Sequence, residues 1–211
     1  MESYGGLRPV DASKLVGAAV CQGTRGDRDD VSLEVATLVL VVGPSGAGKD
    51  TLLDAARQVL ADDPRFRFVR RVITRPADAG GEAHEAVTET DFAARKFALQ
   101  WQAHGMRYGI SADAIDGGIV VVANVSRTVV AEAARRFQVR VIEITAPPDI
   151  LAARLASRGR EAAADVASRL ARSIALPDHV PAETVVNDGP LADGVARFVA
   201  ALNRAAAGVR G

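Results

Sequence analysis

Gly43-Pro44-Ser45-Gly46-Ala47-Gly48-Lys49-Asp50-Thr51 follows an apolar run at 38–42 and leads directly into Thr51-Leu52-Leu53-Asp54-Ala55-Ala56. This order predicts a short buried strand, a glycine-rich turn and a helix. The glycines let the backbone curl until successive N–H groups point at one anion, the helix adds partial positive charge at its N-terminus, and Lys49 adds a full one. The stretch is therefore expected to cradle phosphate.

The spacing from Gly43 through Gly48-Lys49 satisfies the P-loop pattern, and it stands between a strand and a helix, where the mechanism needs it. One position departs. The residue after the lysine is normally Ser or Thr, whose hydroxyl ligates Mg²⁺; here it is Asp50, and Thr51 follows. Two roles fit a carboxylate there: a hard oxygen ligand for Mg²⁺, or an acid favoured by the helix dipole in the first turn.

The whole chain bounds the rest. Its 211 residues suffice for one well-packed domain and are short for two. With 26 basic and 26 acidic residues the formal net charge is zero, so no global electrostatic case exists for nucleic acid or an anionic membrane. Cys21 is the only cysteine and cannot form an internal disulfide, which fits a reducing cytoplasm. No apolar run is long enough to span a bilayer. Residues 14–21 faintly resemble a lipoprotein signal, but the apolar core is too short and Val20 is a poor residue before such a cysteine. A loosely ordered leader is expected over 1–34 and a single kinase-like domain over 35–207. A homodimer is compatible with the chain and not required by it.

From Thr37 the pattern alternates strand and helix. Strands are expected at 37–42, 66–73, 119–123, 139–145 and 184–186, with helices at 49–61, 126–137, from Pro147-Pro148-Asp149, at 162–174 and at 191–206. Residues 74–87 read as a polar loop, Thr88 as a helix cap, and 97–104 with 108–111 as two strands joined through Gly105. Alternating βα units imply an α/β fold with a mostly parallel sheet and helices on both faces. Phosphate should then sit at the carboxyl ends of the strands. The segment at about 74–111 is an insert suited to holding an acceptor opposite the cradle.

At this point the residues carry a family likeness. The P-loop, Thr74-Arg75 before a Gly-Glu pair, Tyr108-Gly109, the arginine-rich segment around Arg158 and Val186-Asn187-Asp188 resemble guanylate kinases over nearly the whole core. The departures are more telling. Gln102 stands where guanylate kinases carry a guanine-reading glutamate, Ala77-Asp78-Ala79 where they carry a second arginine, and Ala123-Asn124-Val125-Ser126-Arg127 where they carry an acidic pair. Gly48-Lys49-Asp50, Ile73-Thr74-Arg75-Pro76, Gly80-Gly81-Glu82-Ala83-His84, Asn124-Val125-Ser126-Arg127 and Arg158-Gly159-Arg160-Glu161 are instead similar to the ribose 1,5-bisphosphate phosphokinases, guanylate-kinase relatives associated with phosphonate degradation. That resemblance implies transfer of the ATP γ-phosphoryl group to the 1-phosphate of ribose 1,5-bisphosphate, giving 5-phosphoribosyl diphosphate and ADP. A guanylate-type nucleoside monophosphate kinase and a non-catalytic binding module are the competing readings.

The chemistry agrees. A phosphate nucleophile is largely ionised at neutral pH, its second pKa lying near ~6, so no general base is required. His84, His104 and His179 are scattered in polar contexts. Catalysis reduces to aligning two anions and cancelling their repulsion by Mg²⁺, Lys49 and arginines. Gly43, Pro44, Ser45, Gly46, Ala47, Gly48, Lys49, Asp50 and Thr51 are expected on the ATP phosphates. Arg154, Arg158 and Arg160 flank a helix interruption, as a lid over ATP at about 156–164 would, and Arg169 lies on the next helix; solvated faces paired with Glu161 and Asp165 are the alternative. For the acceptor the candidates are Arg75, Tyr108, Arg127 and Arg169, with Glu82 and His84 orienting ribose hydroxyls or Mg²⁺. Tyr108 also reads as a core aromatic, the Glu82–His84 stretch as a simple polar loop, and Asn187 either as an adenine contact or as part of a turn.

Overall fold

The computed structural model describes residues 37–76, 84–115, 120–157 and 175–208, all inside the compact unit Glu34–Gly211. The expected leader and the positions of Glu82, Arg158, Arg160 and Arg169 lie outside the described residues. In chain order the elements are β1 (Thr37–Val42), α1 (Lys49–Val59), β2 (Phe66–Phe68), β3 (Val72–Ile73), β4 (Glu85–Ala86), α2 (Glu89–Ala94), β5 (Phe97–Ala103) and β6 (Met106–Ser111). There follow β7 (Val120–Asn124), α3 (Val130–Arg136), β8 (Val139–Thr145), α4 (Pro148–Ser157), β9 (Ala182–Val186) and α5 (Leu191–Ala207).

Two sheets result. The first is five-stranded and parallel, in the order β2-β7-β1-β8-β9, with β1 central. Every residue of β1 is buried, as a strand covered on both faces requires. On one face Val39, Val41, Ile142 and Ile144 pack against Leu52 and Ala56 of α1 and Phe198 and Leu202 of α5. On the other, Leu38, Leu40, Val121 and Val141 meet Val130 and Ala133 of α3 and, from the second sheet, Leu99, Trp101 and Ile110. That second sheet, in the order β4-β3-β6-β5, is the expected insert. Its β5–β6 hairpin turns on His104 and Gly105, both at positive φ, the conformation a tight two-residue hairpin needs. No helix among the described residues is long and apolar enough to cross a membrane.

Two expectations are corrected. The single strand at 66–73 is two strands in different sheets: β2 pairs with β7, and β3 pairs with β6 through Val72↔Gly109 and Ile73↔Tyr108. The Val69 N–H still donates to the Val122 carbonyl at 3.0 Å, after which Arg70 and Arg71 carry the chain across. The reason lies in the partners: Val72 and Ile73, both buried, pair with β6 on one side and β4 on the other. The loop at 74–87 likewise contributes a strand, because Glu85–Ala86 completes the edge beside β3 in parallel register.

Candidate functional site

The loop between β1 and α1 is held from behind. Gly43 and Gly48 have φ of +145° and +86°. A Cβ at Gly43 would lie 2.0 Å from the Ile144 carbonyl oxygen, and one at Gly48 would lie 2.5 Å from Asn187 Nδ2. Glycine is therefore demanded at both by backbone conformation and by contact. Asn187, 5% exposed, donates from Nδ2 to the Ala47 carbonyl at 2.8 Å, and its own N–H donates to Thr145 at 2.7 Å. The side chain is thus a clamp joining the end of β9 to the loop. Lys49 Nζ reaches back across the loop to the carbonyls of Gly43 at 2.8 Å and Pro44 at 2.9 Å. Helix α4 lies against the same loop: the Leu151 carbonyl and Leu155 side chain approach Gly46, and an Arg154 guanidinium nitrogen lies 4.0 Å from the Cβ position of Gly48. Arg154 is accordingly beside the cradle.

Asp50 joins this loop to the neighbouring strand and to the second sheet. Its Oδ1 accepts from Asn124 Nδ2 at 2.8 Å and pairs with an Arg71 guanidinium nitrogen at 3.7 Å. Asn124 ends β7 and is 6% exposed. Arg71 leans over the Tyr108 ring, 5.7 Å from its centroid, and Tyr108 stacks on Trp101 at 5.5 Å. Tyr108 is 8% exposed. Its ring belongs to the core and supports an arginine.

Arg75 and His84 gather at the same place. The His84 imidazole is held below its ordinary pKa, first by burial and then by the positive charges of Arg75 and Arg71, with a hydrogen bond to the Arg75 backbone acting in the opposite sense. Burial also lowers the Arg71 pKa; the Asp50 carboxylate opposes the shift and Arg75 reinforces it. Arginine stays protonated regardless. Thr74 fixes the start of this segment: its N–H donates to the Arg107 carbonyl at 3.1 Å and its Oγ1 accepts from the Arg107 N–H at 3.0 Å. Arg75 and Pro76 then line an open cleft of about 420 Å³ together with Val87, Thr88 and Glu89.

The fold thus places Lys49, Asp50 and Arg154 on or beside the loop, and Asp50 reaches Arg71, which lies over the Tyr108 ring and is coupled to Arg75 and His84. Arg127 is engaged elsewhere: it forms a close ion pair with Glu143, both partly buried, which ties the turn after β7 to β8. Among the described residues no group of three or more His, Cys, Asp or Glu is arranged for a metal ion. A Mg²⁺ here would be held mainly by substrate phosphates with one carboxylate, the usual kinase arrangement, and Asp50 fits it: both of its contacts above use Oδ1, leaving Oδ2 as the oxygen to offer. Sequence reading missed Arg71. The available signal was its spacing, since 71, 73 and 75 fall on one face of an extended segment and place Arg71 in step with Arg75.

Comparison with known proteins places this geometry in a family. The model of the P-loop containing region of AAA domain matches residues 23–69. The chain is 53% identical over 162 residues to the ribose 1,5-bisphosphate phosphokinase PhnN of Acidiphilium cryptum, covering 75% of this chain and 88% of that one. It is 48% identical over 182 residues to the bifunctional ribose 1,5-bisphosphokinase-thymidine phosphorylase of Cupriavidus pinatubonensis; that match covers 82% of this chain but only 30% of the longer protein. Among solved structures, guanylate kinase from Anaplasma phagocytophilum superposes with a TM-score of 0.54 at 17% identity, covering 81% of this chain and 86% of that one, a likeness of fold. Sequence and fold agree, and the chain belongs to the ribose 1,5-bisphosphate phosphokinase family.

Proposed function

We propose that the protein phosphorylates ribose 1,5-bisphosphate with ATP, giving 5-phosphoribosyl diphosphate and ADP. Its relatives' names support the reaction, and one observation of the site carries it: Asp50 of the P-loop helix meets Arg71, which precedes Arg75 by four positions, so arginines suited to an anionic acceptor lie next to the loop. That suits an acceptor whose nucleophile is already an anion.

The steps balance without proton transfer. An oxygen of the acceptor 1-phosphate attacks the γ-phosphorus of ATP, a new P–O bond forms, the bond between the γ-phosphorus and the β–γ bridging oxygen breaks, and ADP leaves as an anion. Lys49 swings from the Gly43 and Pro44 carbonyls onto the transferring phosphoryl group, while the loop N–H groups and the α1 N-terminus hold the β-phosphate. Arg154 adds charge from α4. Arg75 aligns the acceptor, whose approach to ATP is otherwise opposed by like charge. Asp50, with the ATP phosphates, would hold Mg²⁺, and the ion would supply charge neutralisation there. Arg158 and Arg160 directly follow α4 in sequence, beyond Arg154, which supports a lid role for them. Glu82 and Arg169 complete the acceptor set on sequence grounds. With a single cysteine and no membrane-length helix described, the reading is completed by a cytoplasmic location.

The test is ADP release by the purified protein with Mg²⁺-ATP and either ribose 1,5-bisphosphate or GMP, with 5-phosphoribosyl diphosphate assayed among the products. Turnover with the bisphosphate is expected. Turnover with GMP alone would overturn the reading and make this a nucleotide kinase.

A further inference from the structure

Two positions of this chain depart from the common phosphate-loop site, and the fold sets them in contact. In P-loop enzymes Mg²⁺ is commonly held by a Ser or Thr hydroxyl directly after the loop lysine and by an Asp of a neighbouring strand. Here the residue after Lys49 is Asp50, and β7, the strand beside β1, ends in Asn124, in register with Val41. Each position carries the other's kind of group, a carboxylate on the loop helix and a neutral side chain on the strand. Asn124 Nδ2 donates to Asp50 Oδ1 at 2.8 Å, and an Arg71 guanidinium nitrogen approaches that same oxygen at 3.7 Å. The Asp50 side chain is 43% exposed and Asn124 is 6% exposed, so the carboxylate is open to an ion while the amide is enclosed.

The exchange keeps the charge and moves it. An ion bound mainly by substrate phosphates needs about one carboxylate from the protein. Two carboxylates in contact would repel until one took up a proton, and two neutral groups would offer no charge. An amide N–H can only donate, so it holds one carboxylate oxygen and fixes the direction of the other. We infer that Asp50 and Asn124 form a transposed metal pair, Asp50 being the Mg²⁺ ligand of the ATP site and Asn124 the positioning residue that fixes its carboxylate through Oδ1. The inference rests on the reading above that the loop takes ATP with Mg²⁺. If the bond served the fold alone, tying β7 to α1, its loss would weaken nucleotide binding alike with and without metal.

The measurement is calorimetric titration of a non-hydrolysable ATP analogue into the full-length protein, once with Mg²⁺ and once in EDTA. The ratio of the two affinities is the contribution of the metal. Asp50→Thr should reduce that ratio roughly tenfold or more, with the affinity in EDTA no weaker than wild type, because a negative charge has left the phosphate site. Asn124→Ala should reduce it by a few-fold, since Asp50 then loses its brace. Asp50→Thr combined with Asn124→Asp rebuilds the common arrangement, and the ratio should recover to within about threefold of wild type. Where a thermal melt shows that the threonine variants fail to fold, Asp50→Asn alone and combined with Asn124→Asp makes the same comparison with isosteric groups. An unchanged ratio in the Asp50 variant, a double variant no better than the single one, or equal losses with and without metal overturns the inference. So does wild-type protein that binds the analogue equally well in Mg²⁺ and in EDTA, a result that leaves the reaction to be judged by its own turnover assay. Turnover with GMP alone, beside a ratio that falls and recovers as stated, overturns the reaction and supports the metal pair.

Discussion

In the parallel sheet, the phosphate cradle is made of backbone. Gly43 and Gly48 adopt conformations and contacts that exclude any side chain, β1 is buried throughout, and Asn187 bonds the loop from behind. Beside the second sheet, the charges nearest that cradle are the ends of long side chains, Arg71, which pairs with Asp50, and Arg75, with His84 following the segment 77–83 in sequence. The first region is fixed by covalent geometry and close packing. The second is fixed by side-chain electrostatics across a seam, so changes there should alter acceptor binding and leave nucleotide binding intact.

The largest effect should come from removing the lysine of the rigid half. Lys49→Ala is expected to lower kcat on the order of 10³-fold while the fold persists, since loop carbonyls are among the contacts its side chain makes; steady-state kinetics beside a thermal melt checks this. Next, Arg75→Ala should raise the acceptor KM by roughly 10- to 100-fold while the ATP KM changes little. A parallel rise in both constants would erase the distinction between the two halves.

Asn187→Ala attacks the clamp. It leaves the buried Ala47 carbonyl without its donor, and about 1–3 kcal/mol of stability should be lost, measured by denaturant unfolding, with the ATP KM rising and the acceptor KM less affected. The smallest effect concerns His84. Its pKa is depressed in the folded protein, so the unfolded chain binds the proton more readily. Its contribution to stability is therefore present above the ordinary histidine pKa of about 6.5 and is lost as pH falls from there toward the depressed value. His84→Gln should flatten the acid limb of stability against pH, and an unchanged limb would remove His84 from the cationic group.

Much of the first half was legible from residues 38–56, because a strand, three glycines, a lysine and an amphipathic helix are local features with local causes. The hairpin at Gly105 was legible for the same reason. The split of 66–73 was not: alternation describes one strand, and only the competition between two sheets for the same backbone separates Phe66–Phe68 from Val72–Ile73. Arg127 shows the converse. Its charge suited a phosphate as well as a carboxylate, and the register that sets Glu143 beside the end of β1 gave it the carboxylate.

The sequence by itself determined the phosphate cradle, the alternating α/β core and the family, since each is written in short-range spacing that survives without knowing any long-range contact. Tertiary structure alone decided that Asn187 braces the loop from 140 positions away and that Asp50 meets Asn124 across 74. It decided, too, that Arg71 stands where the two sheets join. Those are pairings between distant residues, and no local propensity selects which buried carboxylate, amide or guanidinium will find which partner once the sheets close.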